Sequence, residues 1–378
     1  MLGPVYFYVI IGGGLAGLQL ARQLSRDVFF KGKKIAIIDS DFSLPVKTWC
    51  FWETGSGKWD DLVIKSWNKG KFISSEKNID LSLSPYSYKM LKSADYHKQL
   101  QEEIEESGDI EFITDEIQHI DPVTMKAKGL KKSYSATHFF DSRIDPSYLE
   151  SKKYTTIFQH FKGWEVETKN PIFTPDSFTM MDYRIKYPEA TAFTYILPYT
   201  ERKALVEYTF FSPFLTEDKI YDAKLQLYFE EILKTKDFEI KSTETGVIPM
   251  TDFPFDKENT RQITKIGTGG GWIKPSTGYS FKNTEKRIQK IIENIKRGKM
   301  PGEDLINDNF RKYDAIFLDV LARNNQKGEE IFTKFYTRNS PQEIFRYLDE
   351  ETSVIEDLKI MMSLNSFDFI ESFFRKTL

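Results

Sequence analysis

The segment Gly12-Gly-Gly14-Leu-Ala-Gly17 carries three glycines at the spacing that wraps a backbone around a pyrophosphate. Each position has its own physical task. The first glycine permits a tight turn, the second lets the backbone approach the phosphates, and the third lets helix and strand pack closely. Free N–H groups and the positive end of a helix dipole then face the negative charge. Asp39 stands 22 residues beyond Gly17, where a carboxylate can take ribose hydroxyls. A second glycine-rich segment, Gly267-Thr-Gly-Gly-Gly271, comes late in the chain. Two distant glycine loops able to meet one elongated cofactor favour FAD. A GxGxxG by itself is weak, the alternative being a glycine-rich turn in a nucleotide-free α/β protein.

The elements needed to hold these glycines are legible around them. Val5–Ile11 is a continuous apolar, β-prone run, the pattern of a strand buried on both faces. Leu18, Leu20, Ala21 and Leu24 recur at helical spacing, and Lys34–Asp39 reads as a second buried strand. Residues 45–90 read as hairpins, and Tyr96–Glu106 as a second helix with Ser93 as its possible cap. Tyr134–Phe140 alternates like a strand and ends at Asp141-Ser-Arg143. Strand-like segments between Gln159 and Phe211, among them Phe193–Leu197 and Ala204–Phe211, predict an antiparallel sheet. Ile263–Ile266 is a further short strand, and the pattern is helical from about 283 to Leu378. The expected architecture is α/β. A Rossmann-type FAD-binding domain over 1–300 is interleaved with antiparallel substrate segments at about 45–90 and 160–255. A helical C-terminal region follows over 301–378.

Composition narrows the function. A net charge of −3 with scattered Lys and Arg argues against nucleic acid as a partner. The single cysteine, Cys50, excludes an intramolecular disulfide and fits a reducing compartment. Dispersed histidines without Cys/His ligand spacing support no metal site, and no signal peptide is visible. No run of apolar residues is long enough to span a membrane. The 31 Phe and 19 Tyr suggest a wide apolar interior or a greasy ligand, with biased genomic usage as the bland alternative.

From Lys47-Thr-Trp-Cys-Phe-Trp-Glu53 onward the sequence resembles the bacterial lycopene β-cyclases. Further similar segments follow in the family's order. They are Tyr96-His-Lys, Phe140-Asp-Ser-Arg143, Phe161-Lys-Gly-Trp-Glu-Val-Glu-Thr168, Met180-Met-Asp182 and Tyr195-Ile-Leu-Pro198. Ala204-Leu-Val-Glu-Tyr-Thr209, Gly246-Val-Ile-Pro-Met250 and Pro275-Ser-Thr-Gly-Tyr279 complete a resemblance spanning about residues 5–281.

The resemblance implies FAD-dependent cyclisation of the ψ-end groups of lycopene to β-rings, with reduced flavin, no net electron consumption, and NAD(P)H as reductant. It implies Glu207 as the proton donor, in an apolar setting made by Leu205, Val206, Tyr208 and Phe210. Without the resemblance, Glu207 reads as a solvent-facing residue of a half-buried strand. If the late loop is built as in related folds, Thr277 and Gly278 would lie at the flavin together with Gly267, and Arg143 would meet flavin or simply pair with an acid. Trp49, Phe51 and Trp52 line the carotenoid channel or belong to a hydrophobic core. Cys50 reads as a core residue, His97 and His160 as surface or helix-packing residues, and Asp182 as a turn residue. An insoluble carotenoid partner implies a cytoplasmic protein held peripherally at the inner membrane face, through Phe367, Phe369, Phe373 and Phe374 of the helical tail, the alternative being a tail helix packed on the main domain.

Three departures from the family pattern stand out. Tyr208 replaces a second acid after the strand glutamate, which puts a carboxylate pair in doubt. Ile144 follows Arg143 where many members have glycine, and Thr268 stands where related monooxygenases have Asp. A flavin-dependent monooxygenase, an isoprenoid reductase or a non-catalytic carotenoid-binding flavoprotein are the competing expectations.

Overall fold

The computed structural model describes residues 5–43, 46–364 and 367–377; Leu378, the expected end of the helical region, lies outside them. Strand β1 (Val5–Ile11) enters the glycine turn, followed by helix α1 (Leu15–Arg26) and β2 (Ile35–Asp39). Next come β3 (Thr48–Thr54), β4 (Lys65–Trp67), β5 (Lys69–Ile73), β6 (Asn78–Ser82) and β7 (Tyr86–Lys92). Helix α2 (Ser93–Ser107) leads into β8 (Ile110–Thr114), β9 (Ile117–Asp121), β10 (Lys126–Gly129) and β11 (Ser133–Asp141). The middle of the chain supplies β12 (Thr156–Thr168), β13 (Phe178–Asp182), β14 (Thr191–Pro198) and β15 (Lys203–Ser212). Helix α3 (Asp218–Glu231), β16 (Phe238–Thr251) and β17 (Ile263–Lys265) follow. The longer helices after that are α4 (Phe281–Lys296), α5 (Asp308–Arg323), α6 (Gly328–Arg338), α7 (Pro341–Leu348), α8 (Val354–Ser363) and α9 (Phe367–Thr377).

One sheet is the nucleotide sheet, in the order β8-β2-β1-β11-β10-β9 with β17 also on β11. Its centre, β1, is parallel to β2 on one side and to β11 on the other. Apolar side chains of α1, α2 and α4, including Leu18, Leu100 and Ile288, cover one face. Ser93 does not cap α2. It is the first helical residue, and its hydroxyl accepts the Lys47 N–H at 2.8 Å instead.

The second sheet runs β16-β12-β15-β14-β13-β5-β6, antiparallel except where β13 meets β5 in parallel. Segment 45–90 is therefore divided: the β5–β6 hairpin extends this sheet, while β3, β7 and β4 form a small sheet of their own. Strand β15 is buried from Ala204 to Ser212 because both of its faces are covered. Val206, Tyr208 and Phe210 pack against Tyr221, Leu225 and Phe229 of α3. On the other face Leu205 and Phe211 share a core with Phe310, Phe332 and Phe345 of the C-terminal helices. The helical region thus acts as the second cover of the sheet.

A buried ion pair ties that cover to the late glycine loop. Lys274, with a fully buried side chain, places Nζ 2.9 Å from Asp314 of α5 and 3.5 Å from Glu350. Its carbonyl accepts the Gly278 N–H at 2.8 Å, and its own N–H donates to Tyr279 O at 2.8 Å. Removing one partner of such a pair strands a charge in the core. Asp314→Ala should cost ~3 kcal/mol, seen as a lower denaturation midpoint at an unchanged denaturant slope. Wild-type stability in that variant would show that Glu350 suffices.

Candidate active site and cofactor cleft

The turn after β1 assigns its three glycines three different constraints. Gly12 has φ +104° and donates its N–H to Ile38 O at 2.8 Å. A methyl group on Gly17 would lie 1.9 Å from Gly12 O, so only hydrogen fits between helix and strand. A methyl on Gly14 would meet nothing within 4 Å, because Gly14 borders open space. That space is a cavity of about 240 Å³, lined by Gly14, Gly17, Ser142, Gly267 and Thr268 among others. It lies beyond the carboxyl ends of β1 and β11, where the strand order reverses. No side chain caps the N-terminus of α1 and no acid sits in its first turn, which leaves the dipole end open to an anion. These features fit a dinucleotide pyrophosphate.

Asp39 sits at the same turn and accepts the Gly13 N–H at 2.5 Å and the Asp41 N–H at 3.1 Å. Gly267 takes φ +59°, with Ala16 close by. Arg143 follows the acid-pairing alternative. Its Nε and Nη2 reach Asp141 at 2.8 and 3.0 Å, and its Nη1 donates to Ile117 O at 2.9 Å.

A second cavity of about 210 Å³ adjoins the cleft, sharing Leu15 and Ser280 with it. Its walls are aromatic. Trp52 stacks on Phe345 at 4.6 Å and meets Tyr279 edge-on at 4.7 Å. Tyr88 Oη lies 2.8 Å from Tyr195 Oη and 2.9 Å from Tyr279 Oη, so the phenols satisfy one another. Thr277 and Gly278 line this cavity, Gly278 at φ +77°, and the buried Thr277 Oγ1 and Gln159 Oε1 have no hydrogen-bond partner among the described residues. A third, wider cavity of about 680 Å³ shares Trp49, Phe161 and Gly278 with it. That one reaches the surface between the exposed Leu215 and Val247.

Glu207 of β15 points into the aromatic cavity and is only 7% exposed, so it is not a solvent-facing residue. Thr209 Oγ1 donates to its Oε1 at 2.5 Å. Burial foremost, and then the charge of Glu244, push the Glu207 carboxyl up to about 8, against the opposing pull of Thr209 and Lys47. Tyr208, the next residue, lies on the opposite face and donates its hydroxyl to Ile185 O at 3.1 Å. Adjacent strand residues face opposite ways, so a residue at 208 cannot supply the cavity with a second acid.

The aromatic trio of β3 divides. Trp52 and Trp49 line the cavity, whereas Phe51 lies in the nucleotide-side core, stacked on Phe281 at 4.7 Å. Strand alternation separates Phe51 from Trp52. Cys50 faces the cavity, but burial pushes its thiol up to about 12, so it is no thiolate at neutral pH. Burial likewise holds His97 and His160 down at about 4, both neutral and packed against neighbouring rings. Asp182 ends β13 and accepts the Arg184 N–H at 3.1 Å, as a turn residue does.

A family model, that of the lycopene cyclase protein, matches residues 8–375, nearly the whole chain. The chain belongs to the lycopene cyclase family. No curated protein matches it by sequence. Among solved structures, a geranylgeranyl bacteriochlorophyll reductase-like protein from Thermoplasma acidophilum aligns over 97% of this chain and 98% of its own. The TM-score is 0.61 at 13% identity. The flavin-dependent brominase Bmp2 aligns over 99% and 100% of the two chains, with a TM-score of 0.59 and 14% identity. A 2-methyl-3-hydroxypyridine-5-carboxylic acid oxygenase aligns over 93% and 99%, with a TM-score of 0.61 and 11% identity. This lycopene cyclase family member therefore shares the mixed α/β flavoprotein fold.

Sequence reasoning missed Tyr88, Tyr195, Tyr279 and Gln159. Tyr195 had a usable signal, since a hairpin drawn between Phe193–Leu197 and Ala204–Phe211 places it opposite Glu207. Two glycine variants separate fold from binding. Gly14→Val should keep the unfolding midpoint of the cofactor-free protein yet retain no dinucleotide after desalting. Gly17→Val should fail to fold, because backbone oxygen blocks its Cβ. Equal outcomes for the two variants would contradict the assignment.

Proposed function

We propose that this protein binds FAD and cyclises the ψ-end groups of lycopene to β-rings, through γ-carotene to β-carotene, without net oxidation. The observation that carries this is an enclosed carboxyl, Glu207, on the wall of an aromatic cavity that adjoins a dinucleotide cleft. Glu207 remains protonated at neutral pH and presents its proton to the terminal double bond. The tertiary cation is then attacked by the neighbouring alkene, and the ring cation loses a proton. Faces of Trp52, Tyr195, Tyr279 and Phe211 surround the developing charge, each worth roughly 0.5–2 kcal/mol. Reduced, anionic flavin supplies a fixed negative charge close to the cation when bound, with NAD(P)H as the source of electrons. Thr277, Gly278 and Gln159 would hold it, Gln159 and Thr277 through polar atoms that lack partners among the described residues.

The fold is also that of reductase-like and oxygenase structures. A redox activity would oxidise NAD(P)H in proportion to product, which the cyclisation does not. Pigment analysis in a lycopene-accumulating host should show γ- or β-carotene, and Glu207→Gln should abolish it while FAD stays bound. An active Gln variant would remove Glu207 as donor. The donor must carry its proton, so turnover should be full at neutral pH and fall as pH rises through about 8.

The substrate class also bears on location. No helix among the described residues is long and apolar enough to cross a membrane. On α9, Phe367, Phe373 and Phe374 are exposed, whereas Phe369 packs inward against Phe317. The helix is docked on the fold and still presents an apolar outer face. We place the protein at the cytoplasmic face of the membrane, held through this helix. Phe373→Ser/Phe374→Ser should lower the fraction that floats with phospholipid vesicles several-fold, and unchanged flotation would exclude α9 as the anchor.

A further inference from the structure

We infer that Glu244 is the second carboxylate of the site, a positioning residue set across Gly163 from Glu207 that keeps the donor's proton in place. This rests on the reading of Glu207 as donor.

The geometry begins with register. On β12, Gly163 is paired with Glu207 of β15 on one side and with Glu244 of β16 on the other. Residues directly opposite in an antiparallel ladder project to the same face, so Glu207 and Glu244 share the cavity face of the sheet. The strand between them carries no side chain at that row. A methyl at Gly163 would lie 2.9 Å from Leu205 Cδ1 and 3.5 Å from both Glu207 Cβ and Glu244 Cγ, so the space is bounded by the two glutamates and the tip of Leu205. Any larger residue there would insulate one carboxylate from the other. One row along, Phe161 fills the corresponding position and folds its ring over Gly246, which makes the gap at Gly163 a local feature.

Glu244 is held in place. Thr48 Oγ1 donates to its Oε2 at 2.6 Å, and Lys92 Nζ lies 3.0 Å from the same hydroxyl. The two glutamates differ in setting: Glu207 is enclosed, whereas Glu244 is half-buried and keeps one side towards solvent. When two like charges share a site, the enclosed one retains the proton. The remaining groups facing Glu207 are Thr209 on its own strand, Tyr195 from β14, Cys50 from β3, Tyr279 from the late loop and Lys47 ahead of β3. Of these only Lys47 is charged. It donates to Thr245 O at the cavity rim, and its charge works in the opposite sense to that of Glu244.

Two properties follow. Glu244 needs no contact with substrate to act, and its effect is confined to the pH at which Glu207 loses its proton. The full-length holoenzyme should therefore be compared as wild type, Glu244→Gln, Glu244→Asp and Glu207→Gln. Two quantities are read: the pH profile of turnover, and the protonated-carboxyl infrared band without substrate, assigned by its loss in Glu207→Gln. Glu244→Gln should move both midpoints down by about one pH unit, while Glu244→Asp restores most of the shift. A purely structural role would lower turnover at every pH and leave the midpoint unmoved, and that result overturns the inference. If Glu207→Gln remains active, it is the donor assignment that fails. Should Glu244→Gln not fold, Thr48→Val releases the same carboxylate and should move both midpoints in the same direction. Unmoved midpoints there overturn the inference equally.

Discussion

A sheet whose middle strand is apolar on both faces has to be covered twice, and most of this molecule follows from that need. Strand β15 alternates Leu205, Glu207, Thr209 and Phe211 with Val206, Tyr208 and Phe210, and all of them are buried. Helix α3 closes one face tightly. The other face is closed by three partners: the C-terminal helices, the small β3 sheet, and the loop that follows β17. Pieces from three directions do not meet perfectly. The space left between them is the aromatic cavity, and it lies against the nucleotide cleft because the late loop walls both.

The electrostatics of that space follow from its mostly apolar enclosure. Every polar group on the wall must find a partner or stay neutral. Tyr88, Tyr195 and Tyr279 solve this among themselves. Glu207 has one hydroxyl donor and no buried cation beside it, so its neutral form is the stable one. The same scarcity of compensating charge makes a carboxylate across the strand effective, since low-dielectric packing screens it weakly. An acid able to hand over a proton at neutral pH thus arises from packing and one neighbour.

The nucleotide half was legible in the sequence because its signals are local. A buried strand, a glycine turn and a helix occupy consecutive residues, and β1 begins and ends where the apolar run does. Glu207 was found through family likeness, and its local pattern alone pointed towards solvent. The reason is that burial of β15 depends on helices about a hundred residues later, which no local window contains. Tyr208 looked like the loss of a partner because adjacency in sequence was taken for adjacency in space, and strand pleating separates the two. The small sheet could not be told from the β5–β6 hairpin, since both show the same alternation and only long-range pairing divides them. Phe51 was grouped with Trp52 although neighbours on a strand face opposite ways. Glu244 lies beyond reach of sequence reading altogether, because its position depends on a register carried through an intervening strand.

The ion pair of Lys274 has a consequence for how the protein is made. The loop that walls the cavity is held by counterions in α5 and just past α7, which are synthesised after it. Strands β5 and β13, and likewise β1 and β11, must also wait for partners separated by long stretches of chain. During synthesis the nascent polypeptide therefore carries apolar strands with no mates, the condition under which folding is slow and aggregation competes. The cofactor cleft and the aromatic cavity are therefore complete only once the helical elements that anchor the late loop have been made.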